Sequence, residues 1–210
     1  MSGENPGGNN HHLLPPSRLE TLGDGVFAIA MTVLVLGIAV PDVAKGQLWS
    51  HLVELWPKFG SYALSFIMLG VLWIGHYYQF QYIRRVDRRL IWINLIFLLT
   101  VTFLPFGAGV LGNSYQDKVA VLLYGGTILA SGSFLLLHWR HAVAAGLCAP
   151  DLAPTVVTTL SSRILIGMAV SALAMLAGFI DTRISLAVFL VLPIPYMRRS
   201  SVERASARAS

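Results

Sequence analysis

Six long apolar runs dominate this chain of 210 residues. A helix needs roughly 20 apolar residues to cross about 30 Å of hydrocarbon, and each run meets or nearly meets that length. The runs extend over about 25–40, 59–80, 90–111, 119–137, 164–180 and 184–197. The first and the last are short, and either can lengthen by recruiting its interfacial ends. The pattern predicts an all-α integral membrane protein with six transmembrane helices.

The composition agrees with a membrane location. Only 12% of the residues are charged and 55% are hydrophobic, whereas soluble domains carry about a quarter charged residues. The net charge of +5 could suggest a nucleic-acid partner, but the basic residues flank the apolar runs, where they set membrane topology. We therefore expect membrane lipid, and not nucleic acid, as a partner. The single cysteine, Cys148, excludes an internal disulfide and a cysteine-rich metal site.

The distribution of Lys and Arg predicts the orientation in the membrane. With the N-terminus inside, the inside segments hold eleven of these residues: Arg18, Arg84, Arg85, Arg88, Arg89, Arg140, Arg163, Arg198, Arg199, Arg204 and Arg208. The outside segments hold four: Lys45, Lys58, Lys118 and Arg183. Because positive residues accumulate in cytoplasmic loops, both termini are expected in the cytoplasm, and an even number of spans agrees with that orientation.

We expect three parts along the chain. Residues 1–17 are predicted to be a disordered tail, because they are polar and rich in Gly, Asn and Pro. Residues 18–198 form the six-helix transmembrane domain, and residues 199–210 form a basic tail. Between the first two spans, a helical spacing of apolar residues predicts an amphipathic lead-in to the second span; these residues are Leu48, Leu52, Leu55 and Trp56.

Three polar residues from three spans fall at one depth near the cytoplasmic side: Asp24, His76 and Asn94. An ionisable side chain within a span is costly and normally faces protein or water. Arg18 lies close before Asp24, and Trp73 lies one turn before His76. The residues alone leave two interpretations open. One is interfacial anchoring with ordinary hydrogen bonds between helices, and the other is a single network at the entrance of a pore.

The first span carries an aliphatic stripe. Ile29, Val33 and Leu36 are spaced at i, i+4 and i+7, so they share one helical face, and Thr32 borders it. Ordinary helix packing is one interpretation. The alternative is a pore-lining helix whose aliphatic rings form a constriction that gates by dewetting.

No motif predicts an enzyme. The chain has no nucleophile elbow, phosphate loop or zinc-type helix motif, and no metal site or cofactor is expected. His138 and His141 are spaced to share a metal at i, i+3, but we interpret them as a solvated helix end. The stretch from Tyr124 to Thr127 is interpreted as a small-residue packing face.

The stretch from Arg18 to Leu36 resembles the first helix of the bacterial transmembrane protein 175 family of potassium channels. The family pattern begins Arg-x-x-x-Phe-Ser-Asp; Arg18 and Asp24 keep its ends, while Leu22 and Gly23 replace Phe and Ser. A second stretch is also similar, with the matching residues Trp73, His76, Asp87, Trp92, Asn94, Leu104, Pro105 and Phe106. Tyr77 stands where the family typically has another His or a similar polar residue.

The resemblance implies a homotetramer whose first helices line a central pore without a carbonyl filter. Ile29 matches the aliphatic constriction, Thr32 matches a Thr implicated in selectivity, and Val33 and Leu36 match further pore-facing layers. A cytoplasmic-side network that braces the first helix is implied for Arg18, Asp24, Trp73, His76 and Asn94.

The resemblance therefore predicts a potassium-selective cation leak channel in the bacterial inner membrane, with potassium as the permeant ion. A secondary transporter or proton-permeable carrier is the alternative. It would need ionisable residues near the midplane and broken helices. A membrane-embedded scaffold would carry no flux.

Overall fold

The computed structural model describes residues 15–193, and seven α-helices lie within that range. They are α1 (Ser17–Val33), α2 (Leu48–Glu54), α3 (Trp56–Tyr82), α4 (Arg88–Asn113), α5 (Lys118–Ala144), α6 (Pro154–Gly178) and α7 (Thr182–Val191), and a 3-10 turn, Leu34–Gly37, extends α1.

Five of these helices are long and apolar enough to cross a membrane, with α1 and its 3-10 turn counted as one. This confirms an all-α chain with several membrane-spanning helices. The described part of the sixth expected span, α7, is a shorter apolar helix, and the rest of the run 184–197 lies outside the described residues. The sixth span therefore stays a prediction. The expected tails fall mostly or wholly outside the described range.

The helices extend beyond the apolar runs that predicted them. α1 begins at Ser17 and so includes Arg18 and Asp24, and α2 is the predicted lead-in to α3. The stretch between the apolar runs 119–137 and 164–180 is largely helical, because α5 continues to Ala144 and α6 begins at Pro154. Arg163 therefore lies within α6. Hydropathy marks only the part of a helix inside the hydrocarbon, so turns that project beyond it or pack against protein are missed.

An aspartate precedes and caps three of the helices, α4, α5 and α7. The carboxylate of Asp87 accepts a hydrogen bond from the Leu90 N–H at 2.7 Å and so caps α4. Asp117 caps α5 and Asp181 caps α7 in the same manner. Because the first N–H groups of a helix have no partner within it, these short acidic side chains fix where the helices start.

Close helix packing in the α5–α6–α7 region depends on glycine. A β-carbon on Gly125 would lie 2.5 Å from Cγ of Met175, and one on Gly132 would lie 2.9 Å from Cγ of Met168. Gly125 thus agrees with the small-residue face predicted for this part of α5, whereas Gly126 faces open space. Small residues let two helix backbones approach in a membrane, so these positions set the α5–α6 distance.

A small second core joins the helices at one end of the molecule. It contains Leu19, Phe80, Ile83, Val86, Leu90, Ala142 and Leu147. The α3–α4 and α5–α6 connections pair there: the N–H of Arg84 donates to the carbonyl of Leu147, and that of Ala149 donates to the carbonyl of Tyr82, each at 2.9 Å.

Exposed arginines crowd this end, namely Arg18, Arg84, Arg85, Arg88, Arg89 and Arg140, and we call it the arginine-rich end. α5 ends there at Ala144, and Gly146 follows it with a φ of 64°, which suits glycine after a helix. The first turn of α1 is thereby fixed beside the ends of α3, α4 and α5.

Candidate functional site

α1 has two faces of different character. One face is buried against α3 and α4 and consists of Leu19, Gly23, Phe27, Ala30 and Leu34. The opposite face carries the predicted stripe. Ile29 is 64% exposed, Val33 is 41% exposed and Leu36 is 77% exposed, and Thr32 is also exposed. In the single subunit that the structure describes, the predicted pore residues therefore lie exposed on one side of α1.

Thr32 uses its hydroxyl hydrogen within the helix. Its Oγ1 donates to the carbonyl of Ile29 at 2.9 Å. A threonine hydroxyl has one hydrogen and two acceptor lone pairs. The bond to Ile29 therefore leaves the lone pairs of Oγ1 directed away from the helix, on the exposed face.

A hydrogen bond joins the first half of α1 to α3. The indole N–H of Trp73 donates to Oδ1 of Asp24 at 2.8 Å. Tyr77 stacks on Trp73 with ring centroids 5.8 Å apart, which holds the indole in place. Tyr77, one of the positions that depart from the family pattern, thus supports Trp73, the residue that contacts α1.

His76 lies in the interior where α1, α3 and α4 meet, only 1% exposed. Its Nε2 is 2.9 Å from Oδ1 of Asn94, which joins α3 to α4. The imidazole stacks on Phe97 with centroids 5.4 Å apart and contacts Phe27 from α1. Its Cε1 would lie 2.6 Å from a β-carbon built on Gly23. The ring thus fills the space that the missing side chain of Gly23 leaves.

The structure does not bring every predicted network residue together. Asp24 contacts Trp73, and His76 contacts Asn94, as two separate hydrogen bonds. Arg18 is exposed at the start of α1 and forms no hydrogen bond or ion pair with another residue of the range 15–193. Its assignment to the network stays a prediction.

A second buried polar pair lies beside the first, and the sequence reading missed it. His138 is fully buried, so its interpretation as part of a solvated helix end is wrong. Its Nδ1 is 2.7 Å from Oε1 of Gln79, whose amide nitrogen donates to the carbonyl of Leu135 at 3.0 Å. The amide orientation makes Nδ1–H the donor of His138. The extension of α5 past residue 137 carries His138 into the core, 5.9 Å from His76 between ring centroids.

His141 forms a hydrogen bond to Asp87 instead of ending in solvent. Its Nε2 is 2.9 Å from Oδ2 of Asp87, so the last turn of α5 is joined to the first residue before α4. Partial burial would raise the pKa of Asp87, but the Leu90 N–H, His141 and nearby Arg89 outweigh it and hold that pKa below its usual range.

The described residues offer no metal site. No group of three or more His, Cys, Asp or Glu within 15–193 is placed to hold an ion. Burial raises the pKa of Cys148 to about 11, so this residue stays a neutral thiol near pH 7.

Comparison with known proteins gives consistent matches. A family model described as endosomal/lysosomal potassium channel TMEM175 matches residues 18–105. A protein of Chamaesiphon minutus named potassium channel is 34% identical over 191 residues, which is 88% of this chain and 94% of that protein. One of Streptomyces collinus, also named potassium channel, is 35% identical over 134 residues, or 61% of this chain and 65% of its own length.

A solved structure agrees with this fold. The crystal structure of a lysosomal potassium-selective channel TMEM175 homolog from Chamaesiphon minutus matches with a TM-score of 0.77 at 31% identity. The match covers 86% of this chain and 95% of that one. A human relative named endosomal/lysosomal proton channel TMEM175 is 30% identical over 146 residues, but only 29% of its length is covered. The resemblance seen in the sequence is confirmed, and the chain belongs to the TMEM175 family of ion channels and is not an enzyme.

Proposed function

We propose that this chain is the subunit of a potassium-selective cation leak channel in which α1 lines a central pore. The assembly is a homotetramer in a bacterial inner membrane, with both termini and the arginine-rich end in the cytoplasm. The positive-inside rule supports that orientation. The names of the bacterial relatives, potassium channel and potassium-selective channel, support the choice of ion.

The observation that carries the proposal is the division of α1 into a packed face and an open face. Four copies of the open face around an axis would place Ile29, Val33 and Leu36 in successive rings. Gly25 has no atom within 4 Å of an added β-carbon, and together with Ala28 it would let the copies approach closely. A narrow ring of aliphatic side chains expels water and so blocks ions until it widens.

Thr32 supplies the polar contact within this apolar lining. Its hydroxyl hydrogen is occupied by the carbonyl of Ile29, so only lone pairs of Oγ1 face outward. Lone pairs favour a partly dehydrated cation over an anion. Four such oxygens between the rings of Ile29 and Leu36 would discriminate among cations by the energy of replacing their water.

The contacts of α1 with α3 and α4 keep the pore helix in one position. The hydrogen bond from Trp73 to Asp24 and the packing of His76 against Gly23 and Phe27 both hold the first half of α1 in place. Gating then requires either a motion of the second half of α1, which lies beyond these contacts, or a change in the contacts themselves.

Potassium flux from liposomes that contain the purified protein tests the proposal. Replacement of Ile29 by Asn, which wets the constriction, should raise the flux above that of the wild type. Ile166→Asn is the matched control, because Ile166 is 51% exposed on α6, away from α1. Equal flux from wild type and Ile29→Asn in correctly assembled tetramers would remove Ile29 as the constriction.

Proton permeation is the second candidate, favoured by the animal relatives named endosomal/lysosomal proton channels. A pH-sensitive dye inside the same liposomes measures it in parallel. A carrier is disfavoured, because Asp24 and His76 lie toward the arginine-rich end of their helices and Lys58 and Lys118 lie at the opposite helix ends, not at the midplane. Potassium transport that saturates with potassium concentration and proceeds at the turnover rate of a carrier would favour a carrier instead.

A further inference from the structure

An apolar groove lies on the side of the subunit between α3, α5 and α6, away from the open face of α1. Its lining includes Met68 and Ile128 at one end and Tyr78 and Arg163 at the other, with Ile74 and Ile164 between them. Almost all of its lining is apolar. Arg163 is the one charged residue among the lining residues within 15–193.

The groove has the length of one lipid leaflet. Met68 lies near the middle of α3, and Tyr78 lies one turn from its end at Tyr82. About ten residues separate them, and at 1.5 Å per residue this gives about 15 Å. The hydrocarbon core of a bilayer is about 30 Å thick. The groove therefore reaches from the midplane to the headgroup level of the leaflet on the arginine-rich side.

Arg163 sits at the headgroup end of this groove, half-buried among apolar neighbours. A charged side chain in an apolar setting needs a partner. Arg163 also interacts within the protein, but a guanidinium has five N–H donors and matches the geometry of a phosphate. This fork of donors can bond an anionic phosphate alongside that interaction.

We propose that this groove binds an acidic phospholipid, with one acyl chain along Ile74 and Met68 and the phosphate on Arg163. The combination of a leaflet-long apolar channel and a cation at its headgroup end fits that ligand and neither a free phosphate nor a neutral chain. Basic pockets between helices on the cytoplasmic side bind acidic headgroups. The site lies away from the α1 stripe, so it does not depend on ion conduction.

Photo-crosslinking from within the groove identifies its occupant. The full-length protein carries p-benzoylphenylalanine in place of Ile74 and is reconstituted in vesicles of phosphatidylcholine and phosphatidylglycerol at three to one. A second protein carries the same group in place of Ile166, which is 51% exposed on α6 three residues after Arg163 and does not line the groove. Mass spectrometry then counts the adducts of each lipid.

We expect the adducts from position 74 to be enriched in phosphatidylglycerol by about fivefold over those from position 166, the factor expected for one arginine at an anionic headgroup. Adding Arg163→Gln should abolish the enrichment. Adding Arg140→Gln, which removes an exposed arginine of α5 at the same end, should preserve it.

Three results would overturn the proposal. The first is that, with Arg163 intact, the lipid adducts from position 74 contain the two lipids in the same ratio as the vesicle. The second is that the adducts form with the chain's own segment 194–210. The third is that they form with a neighbouring subunit. Elution of each variant from a size-exclusion column as the same assembled species as the wild type shows that it is folded, so loss of enrichment is then specific to the lipid site and independent of any ion flux.

Discussion

Cε1 of His76 lies 2.6 Å from the place where a β-carbon on Gly23 would stand. Real β-carbon contacts are longer than this, so His76 and any side chain at position 23 exclude each other in this packing. Gly23 occurs where the family pattern has Ser, and the structure shows the local consequence. The imidazole, held by Asn94 and Phe97, occupies the space beside the backbone of α1.

Gly23→Ala should therefore destabilise the protein although alanine favours helix. Overpacking of a tight site costs about 1–3 kcal/mol, against a gain of about 1 kcal/mol in helix propensity. Gly70→Ala on α3 is the matched control, because an added β-carbon there meets nothing within 4 Å. Thermal unfolding in detergent, followed by loss of the assembled species, should show a lower midpoint for Gly23→Ala. Equal midpoints for the two variants would contradict the packing described.

Trp73→Phe should weaken the attachment of α1 to α3 and lower the stability of the protein. The substitution keeps an aromatic ring beside Tyr77 but removes the N–H that donates to Asp24. A hydrogen bond to a charged group contributes about 1.5–3 kcal/mol when shielded, and this contact is exposed, so we expect a loss at or below the lower end. Trp92→Phe, on the exposed side of α4, controls for loss of an indole. A midpoint lowered equally by both substitutions would mean that the bond to Asp24 contributes nothing specific.

Thr32→Val should reduce the preference for potassium over sodium without abolishing flux. Valine keeps the shape of threonine but removes the oxygen that we assign to cation contact. Thr102→Val is a close control, since Thr102 also makes a bond from its hydroxyl to a carbonyl three residues earlier, Leu99, and is exposed on α4. Reversal potentials under potassium and sodium gradients measure the ratio. A ratio unchanged in Thr32→Val would assign selectivity to another layer of the pore.

The contacts that Asp87 makes with the Leu90 N–H and His141 should make stability fall in acid. The pKa of Asp87 is held below its ordinary value of 3.8 in the folded protein. A carboxyl with a depressed pKa adds stability that is present above the unfolded pKa and is lost as the pH falls through the folded pKa. Asp87→Asn should lower the unfolding midpoint at pH 7, because asparagine still caps the helix but carries no charge.

The difference between wild type and Asp87→Asn should shrink as the pH drops below about 4 and vanish below the folded pKa. Unfolding midpoints between pH 7 and pH 3 measure it. Asp117→Asn is the control, since Asp117 also caps a helix, α5, but is exposed and forms no ion pair with another described residue. A difference that is constant over this range would show that the charge of Asp87 is not involved.

The sequence determined where the five long apolar helices of the described residues lie, because lipid imposes a condition that can be read one residue at a time. A segment in hydrocarbon must be apolar and must satisfy its own backbone hydrogen bonds, so long apolar runs predict helices. The stripe of Ile29, Val33 and Leu36 was predictable for the same reason, since helical periodicity places spaced residues on one face. Recognition of the family rested on local patterns at Arg18, Asp24 and His76.

Only the tertiary structure decided what lies behind these patterns. The extension of α5 that buries His138 beside Gln79 left no hydropathy signal, because polar residues that pair with each other inside a bundle resemble residues that face water. The fit of Gly23 to His76 and the groove that ends at Arg163 join residues far apart in the chain. Such contacts depend on how helices dock, and docking depends on the combined shapes of several helices rather than on the composition of any one.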